Sequence, residues 1–294
     1  MTRTRSGSIE PAQKAEDRAE VLRDANTMKR ISLFEFEDFR WFPGSIRECL
    51  TLYISAVHRL LGTHRVLAPL LARALRAART VEIVDLCSGA GGPLLKTTEQ
   101  LAADHCIVAS VTLTDLYPNT EAAERINAAG ATAQVRYHLS PVDAGQVPDA
   151  LRGVRTMIGS FHHMPPQVAR RILQDAFEKR QALCVVEISD NSQPRWLWWA
   201  AIPAVLVMVL LLTPFIRPLR LRQVLLTYLL PVLPLVIAWD GAVSNARTYS
   251  EDDLKELLVG LEAPDYRWEI NRPRAPGVPA TLITLLGIPN DSGS

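Results

Sequence analysis

The apolar positions of this chain change rhythm twice. From Ser45 to Gly62, the residues Ile46, Leu50, Tyr53, Ile54, Val57, Leu60 and Leu61 recur three and four apart, which predicts an amphipathic helix. A second helical pattern runs from His64 to Arg79 through Val66, Leu67, Leu70, Leu71, Ala74, Leu75 and Ala78. From Val81 onward the apolar runs shorten. Val81–Cys87, Cys106–Thr114, Ala133–His138, Arg155–Phe161 and Ala182–Ile188 read as strands, and helical patterns over Pro93–Ala103, Thr120–Ala129 and Gln167–Arg180 separate them. Strands alternating with helices at this spacing predict an α/β fold with a doubly wound, mostly parallel sheet. Near the end, Ser250-Glu-Asp-Asp253 has the form of a helix start, Gly260 stops that helix, and Tyr266–Ile270 and Thr281–Leu286 read as two closing strands.

Between the fifth strand and that last helix the pattern loses its polar face. Trp196–Ile216 carries no charge, and as one helix it would be roughly 31 Å long at ~1.5 Å per residue, near the thickness of a bilayer core. Arg195 and Arg217 bound it, and Trp196, Trp198 and Trp199 gather at one end in the manner of an interfacial belt. Val224–Trp239 is shorter and contains Pro231 and Pro234, which kink a helix. A spanning hairpin would export Arg217, Arg220 and Arg222 against the positive-inside preference, whereas a hairpin embedded in one leaflet lets them snorkel to the headgroups. A cap that buries itself in a homodimer interface or over a binding site would also cover this surface.

Composition narrows the options. Lys and Arg number 32 against 31 Asp and Glu, a formal charge of +1, which argues against a nucleic-acid binder. The four cysteines form no CxxC pair, and no zinc spacing exists among them and the six histidines. The sequence therefore gives no ground to expect a metal.

The candidate chemistry begins where the first strand ends, in Asp85-Leu-Cys-Ser-Gly89-Ala-Gly91-Gly92. Glycines between a strand and a helix let a ligand approach the backbone, and the helix start offers free N–H groups. The second strand ends at Asp115, about 26 residues after Gly89, where an acid can accept both hydroxyls of a ribose. These residues resemble the class I S-adenosylmethionine-dependent methyltransferases, whose first loop reads acid-x-Gly-x-Gly-x-Gly; Cys87 stands here at the first glycine. The resemblance continues in order through Asp115 as the ribose acid, Asp143-Ala144 at the adenine, Ser160-Phe-His162-His163 facing the methyl group, and the closing pair of strands. It implies S-adenosyl-L-methionine as cofactor, with Asp85, Cys87, Gly89, Gly91, Asp115, Asp143, Ala144 and Ser160 as its binding residues. The alternative of a nicotinamide oxidoreductase is disfavoured by Leu94 at the last glycine position of the dinucleotide pattern.

At the reacting end, His162 or His163 can take a proton from a hydroxyl or amine near neutral pH. Glu187 can orient the acceptor, and Arg247 can hold a carboxylate acceptor by a bidentate pair. By resemblance, Trp41 and Phe42 in the aromatic, acidic segment before the first helix form a lid over the substrate, and Asp240 lies near the same cleft. The expected organisation is a flexible tail over 1–29, an N-terminal helical cap over 30–80, a cofactor-binding methyltransferase domain over 81–190 and 248–294, and a hydrophobic insertion over 191–247. The expected function is methyl transfer to a small, lipophilic acceptor at a membrane, with the catalytic domain facing the cytoplasm. A membrane-anchored protein that binds the cofactor without chemistry is the other alternative.

Overall fold

The computed structural model describes residues 28–39, 41–89, 91–128, 134–274 and 280–290. Of the expected tail, residues 1–27 lie outside that set, as do Arg40 and the expected helix stop at Gly130. Met28 and Lys29 are not loose: Met28 is buried in the core, and the Lys29 N–H donates to Asp253 Oδ1 at 2.8 Å.

Seven strands form one sheet in the order β3-β2-β1-β4-β5-β7-β6. They are β1 (Glu82–Asp85), β2 (Ser110–Leu113), β3 (Val135–Tyr137), β4 (Val154–Ile158), β5 (Leu183–Glu187), β6 (Tyr266–Asn271) and β7 (Ile283–Pro289). The first five run parallel, and β7 enters antiparallel beside β5 with Val185 opposite Leu285. The strand order reverses at β1, which lies between β2 and β4. A crevice outside the carboxyl ends of β1 and β4 follows from that reversal. Ile107 and Val108 fall outside β2, because pairing with β1 begins at Ser110 opposite Glu82.

Helices cover both faces. Helix α1 (Gly44–Leu61) leads into α2 (Thr63–Ala77), and α3 (Leu94–His105), α4 (Thr120–Ala128) and α5 (Pro166–Glu178) follow β1, β2 and β4. On one face Leu67, Leu71 and Leu75 of α2 and Leu101 of α3 pack on Val111 and Cys184. The second helix of the expected cap is thus a layer of the α/β core. On the other face Ile172 and Leu173 of α5 and Leu254 of the last helix pack on Val84, Met157 and Val185. That last helix, Glu251–Leu258, starts as its sequence predicts: Ser250 and Asp253 exchange side-chain-to-backbone hydrogen bonds at 2.8 and 3.3 Å.

The apolar stretch departs from the expected single helix. It breaks into α6 (Arg195–Ala200) and α7 (Ile202–Leu212), then a 3₁₀ turn at Thr213–Phe215. Pro203 occupies the first turn of α7 and cannot donate to the turn before it, so the ladder restarts there. Beyond Arg217, α8 (Leu221–Val224) runs into a π-turn, and α9 (Val232–Arg247) begins after Pro231. The two halves, Leu221–Leu229 and Val232–Arg247, meet at 84°. Among the described residues no single helix is long and apolar enough to cross a membrane; by length and composition only this bent pair can.

These helices are built into the N-terminal segment. Phe42, Cys49 and Leu50 pack with Leu233 and Val236 of α9, and Tyr53 and Ala56 pack with Val209 and Ile216. Arg220 and Arg222 both pair with Glu48 of α1. Residues 28–39, 41–62 and 195–247 therefore pack together as one layer at the crevice edge.

Candidate functional site

The loop after β1 is held from beneath. The buried Asp85 carboxylate accepts the Thr156 hydroxyl, and its backbone carbonyl accepts Ser88 Oγ at 2.9 Å and Thr114 Oγ1 at 2.8 Å. Burial raises the Asp85 carboxyl to about 6. Asp85 does not border the crevice; its work is to fix the loop. Cys87 adopts φ +56°, a backbone conformation that favours glycine, so its departure from the glycine pattern is accommodated with some strain. Gly89 and Gly92 have φ +53° and +44°, and a Cβ built on either meets nothing within 4 Å. That open ground is a cradle for a ligand. Gly91, by contrast, faces inward, where a Cβ would lie 3.2 Å from Leu113 Cδ1.

Around the cradle is a cavity of about 490 Å³, bordered by Cys87, Ser88, Gly89, Asp115, Asp143, Ala144, Ser160 and His163. The half-buried Asp115 accepts Gly89 N at 3.0 Å and Tyr117 N at 2.9 Å, which pins its carboxylate at the rim. Asp143 Oδ1 accepts Gly145 N at 2.8 Å. Ser160 Oγ is buried and has no hydrogen-bond partner. Of the expected cofactor residues, the cavity gathers Cys87, Gly89, Asp115, Asp143, Ala144 and Ser160, while Asp85 and Gly91 support them from behind.

Burial pushes the Cys87 and Cys184 thiols up to about 12, whereas Cys106 is exposed. A thiol reagent at pH 8 is therefore expected to modify Cys106 first and the half-buried Cys87, whose thiol is held protonated, much more slowly. Peptide mapping after iodoacetamide labelling checks this; labelling of Cys87 as fast as that of Cys106 would contradict the raised thiol.

A second cavity of about 320 Å³ adjoins the first and shares Ile54 and Gly159 with it. Its wall is mostly apolar, from Leu50, Tyr53, Val57, Trp198, Val205, Met208 and Ile237, with Glu37, Asp240, Ser244 and Asn245 as polar members. Three of its residues carry buried polar atoms without a partner: Tyr53 Oη, Trp198 Nε1 and Asp240 Oδ2. The other Asp240 oxygen accepts the Phe36 N–H at 2.8 Å. Burial raises the Asp240 carboxyl to about 6 and the Tyr53 phenol to about 12.

The residues expected to do chemistry sit differently from the sequence expectation. Glu187 ends β5 and is consumed by the turn at Phe161–His163, accepting Phe161 N at 2.7 Å, His162 N at 3.1 Å and His162 Nδ1 at 2.8 Å. It borders neither cavity. His162 also borders neither, and its Nε2 is sealed from solvent, so it does not reach an acceptor. His163 does border the first cavity, and Asp38 Oδ1 lies 3.3 Å from its Nδ1. Arg247 is buried and already engaged, at 2.6 Å from Asp38 Oδ2 and 3.3 Å from Glu35 Oε1, which leaves no free fork for a carboxylate acceptor. Trp41 is 69% exposed and stacks on Phe39, while Phe42 is buried against α9. Neither covers a cavity; they anchor the segment that brings Glu35, Glu37 and Asp38 to the site.

The sequence reading did not place Tyr53, His58, Trp198 or Glu35 at the site. His58 borders the first cavity, and a Cβ on Gly159 would lie 3.4 Å from its Nε2. Its register on the apolar face of α1, four residues after Ile54, was the available signal. Burial lowers His58 to about 4, so it is neutral.

No protein-family profile matches this chain, and no curated protein sequence is detectably similar to it. Solved structures do resemble it. The mitomycin 7-O-methyltransferase MmcR superposes over 94% of this chain and 68% of its own, at a TM-score of 0.50 and 15% identity. An O-methyltransferase family protein from Burkholderia thailandensis covers 96% and 71%, at 0.48 and 13%. LepI in complex with SAM covers 71% of this chain, which spans only 43% of LepI, at 0.42 and 10%. At these identities the likeness, carried by the first of them, is one of fold: a class I, Rossmann-like methyltransferase fold.

Proposed function

We propose that this chain is an S-adenosylmethionine-dependent methyltransferase acting on a small, lipophilic acceptor that carries a hydroxyl or amine. The observation that carries this reading is the pair of joined cavities at the carboxyl ends of β1 and β4, one lined by the glycine loop and two acids, the other mostly apolar. The fit to the cofactor rests on the open cradle at Gly89 and Gly92 and on the unpartnered Ser160 hydroxyl. Asp115 would hold the ribose hydroxyls, Asp143 and Ala144 the adenine, and Ser88 and Ser160 the remainder. When bound, S-adenosylmethionine supplies an electrophilic methyl group on its sulfonium.

The chain's own residues then orient the acceptor and move its proton. The apolar wall of the second cavity excludes water and orders the acceptor's lone pair toward the shared boundary at Gly159. Tyr53 and Trp198 offer hydrogen-bond donors. Asp240 Oδ2 is unpartnered, and its carboxyl titrates near 6, so it is ionised at neutral pH and takes the acceptor's proton as the new bond forms. A panel of lipophilic phenols and amines tests the reading: acceptor-dependent release of S-adenosylhomocysteine is expected, and its loss when Val205→Trp fills the second cavity. Release that Val205→Trp leaves unchanged would overturn it.

The reading also puts the protein on a membrane surface, with its catalytic domain on the cytoplasmic side. Leu211, Phe215, Leu221 and Leu229 are 68–74% exposed along the rim formed by α7, α8 and the π-turn, and leaving such a surface in water is unfavourable at roughly 25 cal/mol per Å². The 84° bend between Leu221–Leu229 and Val232–Arg247 and the arginines beside it suit burial in one leaflet. Co-sedimentation with phosphatidylglycerol/phosphatidylethanolamine vesicles is expected, weakened at least tenfold in the triple variant Leu211→Ser, Phe215→Ser, Leu229→Ser. Equal binding of the two proteins, or none by the parent, would contradict it.

A further inference from the structure

Behind the junction of the two cavities, Glu35, His162 and His163 converge. One carboxylate oxygen and one ring nitrogen from each imidazole lie within 4.8 Å of one another. Glu35 is wholly buried, and its Oε2 has no hydrogen-bond partner; His162 is 6% exposed, and its Nε2 has none either. Glu35 Oε2 lies 3.6 Å from His163 Nδ1.

The protonation of His162 is fixed by its surroundings. Glu187 accepts two backbone N–H groups besides His162 Nδ1, an environment for an ionised carboxylate, so Nδ1 carries the hydrogen. The lone pair then sits on Nε2. Glu35 Oε2 and His162 Nε2 are thus both buried acceptors without a hydrogen-bond partner, and His163 Nδ1, 3.3 Å from Asp38 Oδ1, would release its proton on binding a metal. Two unpaired buried acceptors are costly, and a cation between them removes the cost. Glu37 and Asp38 add negative charge around His163; Arg247 is spent on Asp38 and on the far oxygen of Glu35, and Arg30 on the backbone carbonyls of His162 and Arg247.

We infer that Glu35, His162 and His163 form a binding site for one divalent transition-metal ion, with Glu187 orienting His162 from behind. Two imidazoles and a carboxylate suit zinc, cobalt, manganese or ferrous iron better than the all-oxygen preference of magnesium or calcium. A carboxylate on the far nitrogen of a ligating histidine is the arrangement that fixes its tautomer and raises its basicity. Three protein ligands leave coordination positions open. Of the three ligands His163 borders the cavity of the glycine loop, so an ion held here lies against the wall of that cavity. Its use as a Lewis acid toward an acceptor oxygen rests on the methyltransferase reading; its binding does not. Chain spacing hides the site, because the carboxylate comes from the N-terminal segment and the imidazoles from the turn after β4.

The test is metal binding by the full-length chain, freed of any affinity tag and stripped with chelator. Titration with Co²⁺ should saturate near one equivalent and produce a visible ligand-field absorption band, and Zn²⁺ should displace it. Glu35→Gln, His162→Gln and His163→Gln should each weaken Co²⁺ binding at least tenfold. Glu187→Gln should weaken it roughly 10- to 100-fold through the orientation of His162. Since Glu35 and His162 are buried, the half-exposed His163 guards against a folding artefact, and circular dichroism and S-adenosylhomocysteine affinity are followed in parallel. Absence of a stoichiometric site in the parent protein, or a site that survives in the double variant His162→Gln, His163→Gln, would overturn the inference whether or not the cofactor binds.

Discussion

Replacing Asp115 by alanine is expected to weaken S-adenosylhomocysteine binding by about 10- to 150-fold, since losing a hydrogen-bonded, charged partner costs on the order of 1.5–3 kcal/mol. The carboxylate does two jobs. It accepts the N–H groups of Gly89 and Tyr117, and it stands at the rim of the larger cavity where ribose hydroxyls would meet it. Alanine removes both. Asp115→Asn surrenders the charge and one of the two oxygens, so it keeps only one of the two loop contacts. The asparagine variant should therefore lose most of the affinity, and its melting temperature reports what the lost loop contact costs. Isothermal calorimetry with S-adenosylhomocysteine measures the affinity directly. An Asp115→Asn protein that binds as tightly as the parent would remove the ribose role and leave only the loop contact.

Asp240→Asn is expected to lower turnover by about 100-fold or more while cofactor affinity stays put, the range typical of a lost general base. Asparagine keeps the oxygen that accepts the Phe36 N–H, so the N-terminal segment remains anchored. The pH profile carries the sharper prediction. Burial first, and the charge of Glu37 after it, raise the Asp240 carboxyl to about 6, so kcat/KM of the parent should fall as pH drops through about 6, when the base is protonated. The variant should lack that limb. The sign for stability is opposite to the usual carboxylate. The folded state holds the Asp240 proton more tightly than the unfolded chain, whose carboxyl titrates near 3.8, so this group's contribution declines as pH rises from about 4 through about 6. Asp240→Asn is accordingly expected to keep or raise the melting temperature at pH 8. A variant that is both inactive and less stable would point to a structural role instead.

The sheet was legible because its signals are local. Each buried parallel strand shows as a short β-branched run, each crossover helix as a 3.6-residue period, and Ser250-x-x-Asp253 as a helix start whose hydrogen bonds form as expected. Gly89, Asp115, Asp143 and Ser160 come together for the same reason: each lies in the loop that follows a parallel strand, and those loops meet at one crevice. The run Trp196–Ile216 reads as one helix because hydropathy counts apolar residues but does not weigh the missing N–H of Pro203, where the ladder restarts, whereas the break at Pro231 is where the prolines of the second run predict a kink. The surroundings of the catalytic candidates are set at long range. Nothing near Arg247 in the chain announces Glu35 and Asp38, which lie in the N-terminal segment and neutralise its guanidinium. Glu187 has the position of a substrate-orienting acid but spends its oxygens on the backbone of Phe161 and His162. Trp41 and Phe42 read as a lid because aromatic residues beside acids suggest one, while their packing on Phe39 and α9 makes them an anchor.

Calorimetry of the purified chain with S-adenosylhomocysteine and NAD side by side asks whether the crevice at β1 and β4 binds a sulfonium nucleoside. One-to-one binding of S-adenosylhomocysteine is expected, and none of NAD at the same concentrations. The crevice presents Asp115 and Asp143, and its glycine loop enters α3 through Pro93, which has no N–H to give a diphosphate. Binding of NAD with S-adenosylhomocysteine excluded would contradict the account and turn the same fold into a nicotinamide-binding one.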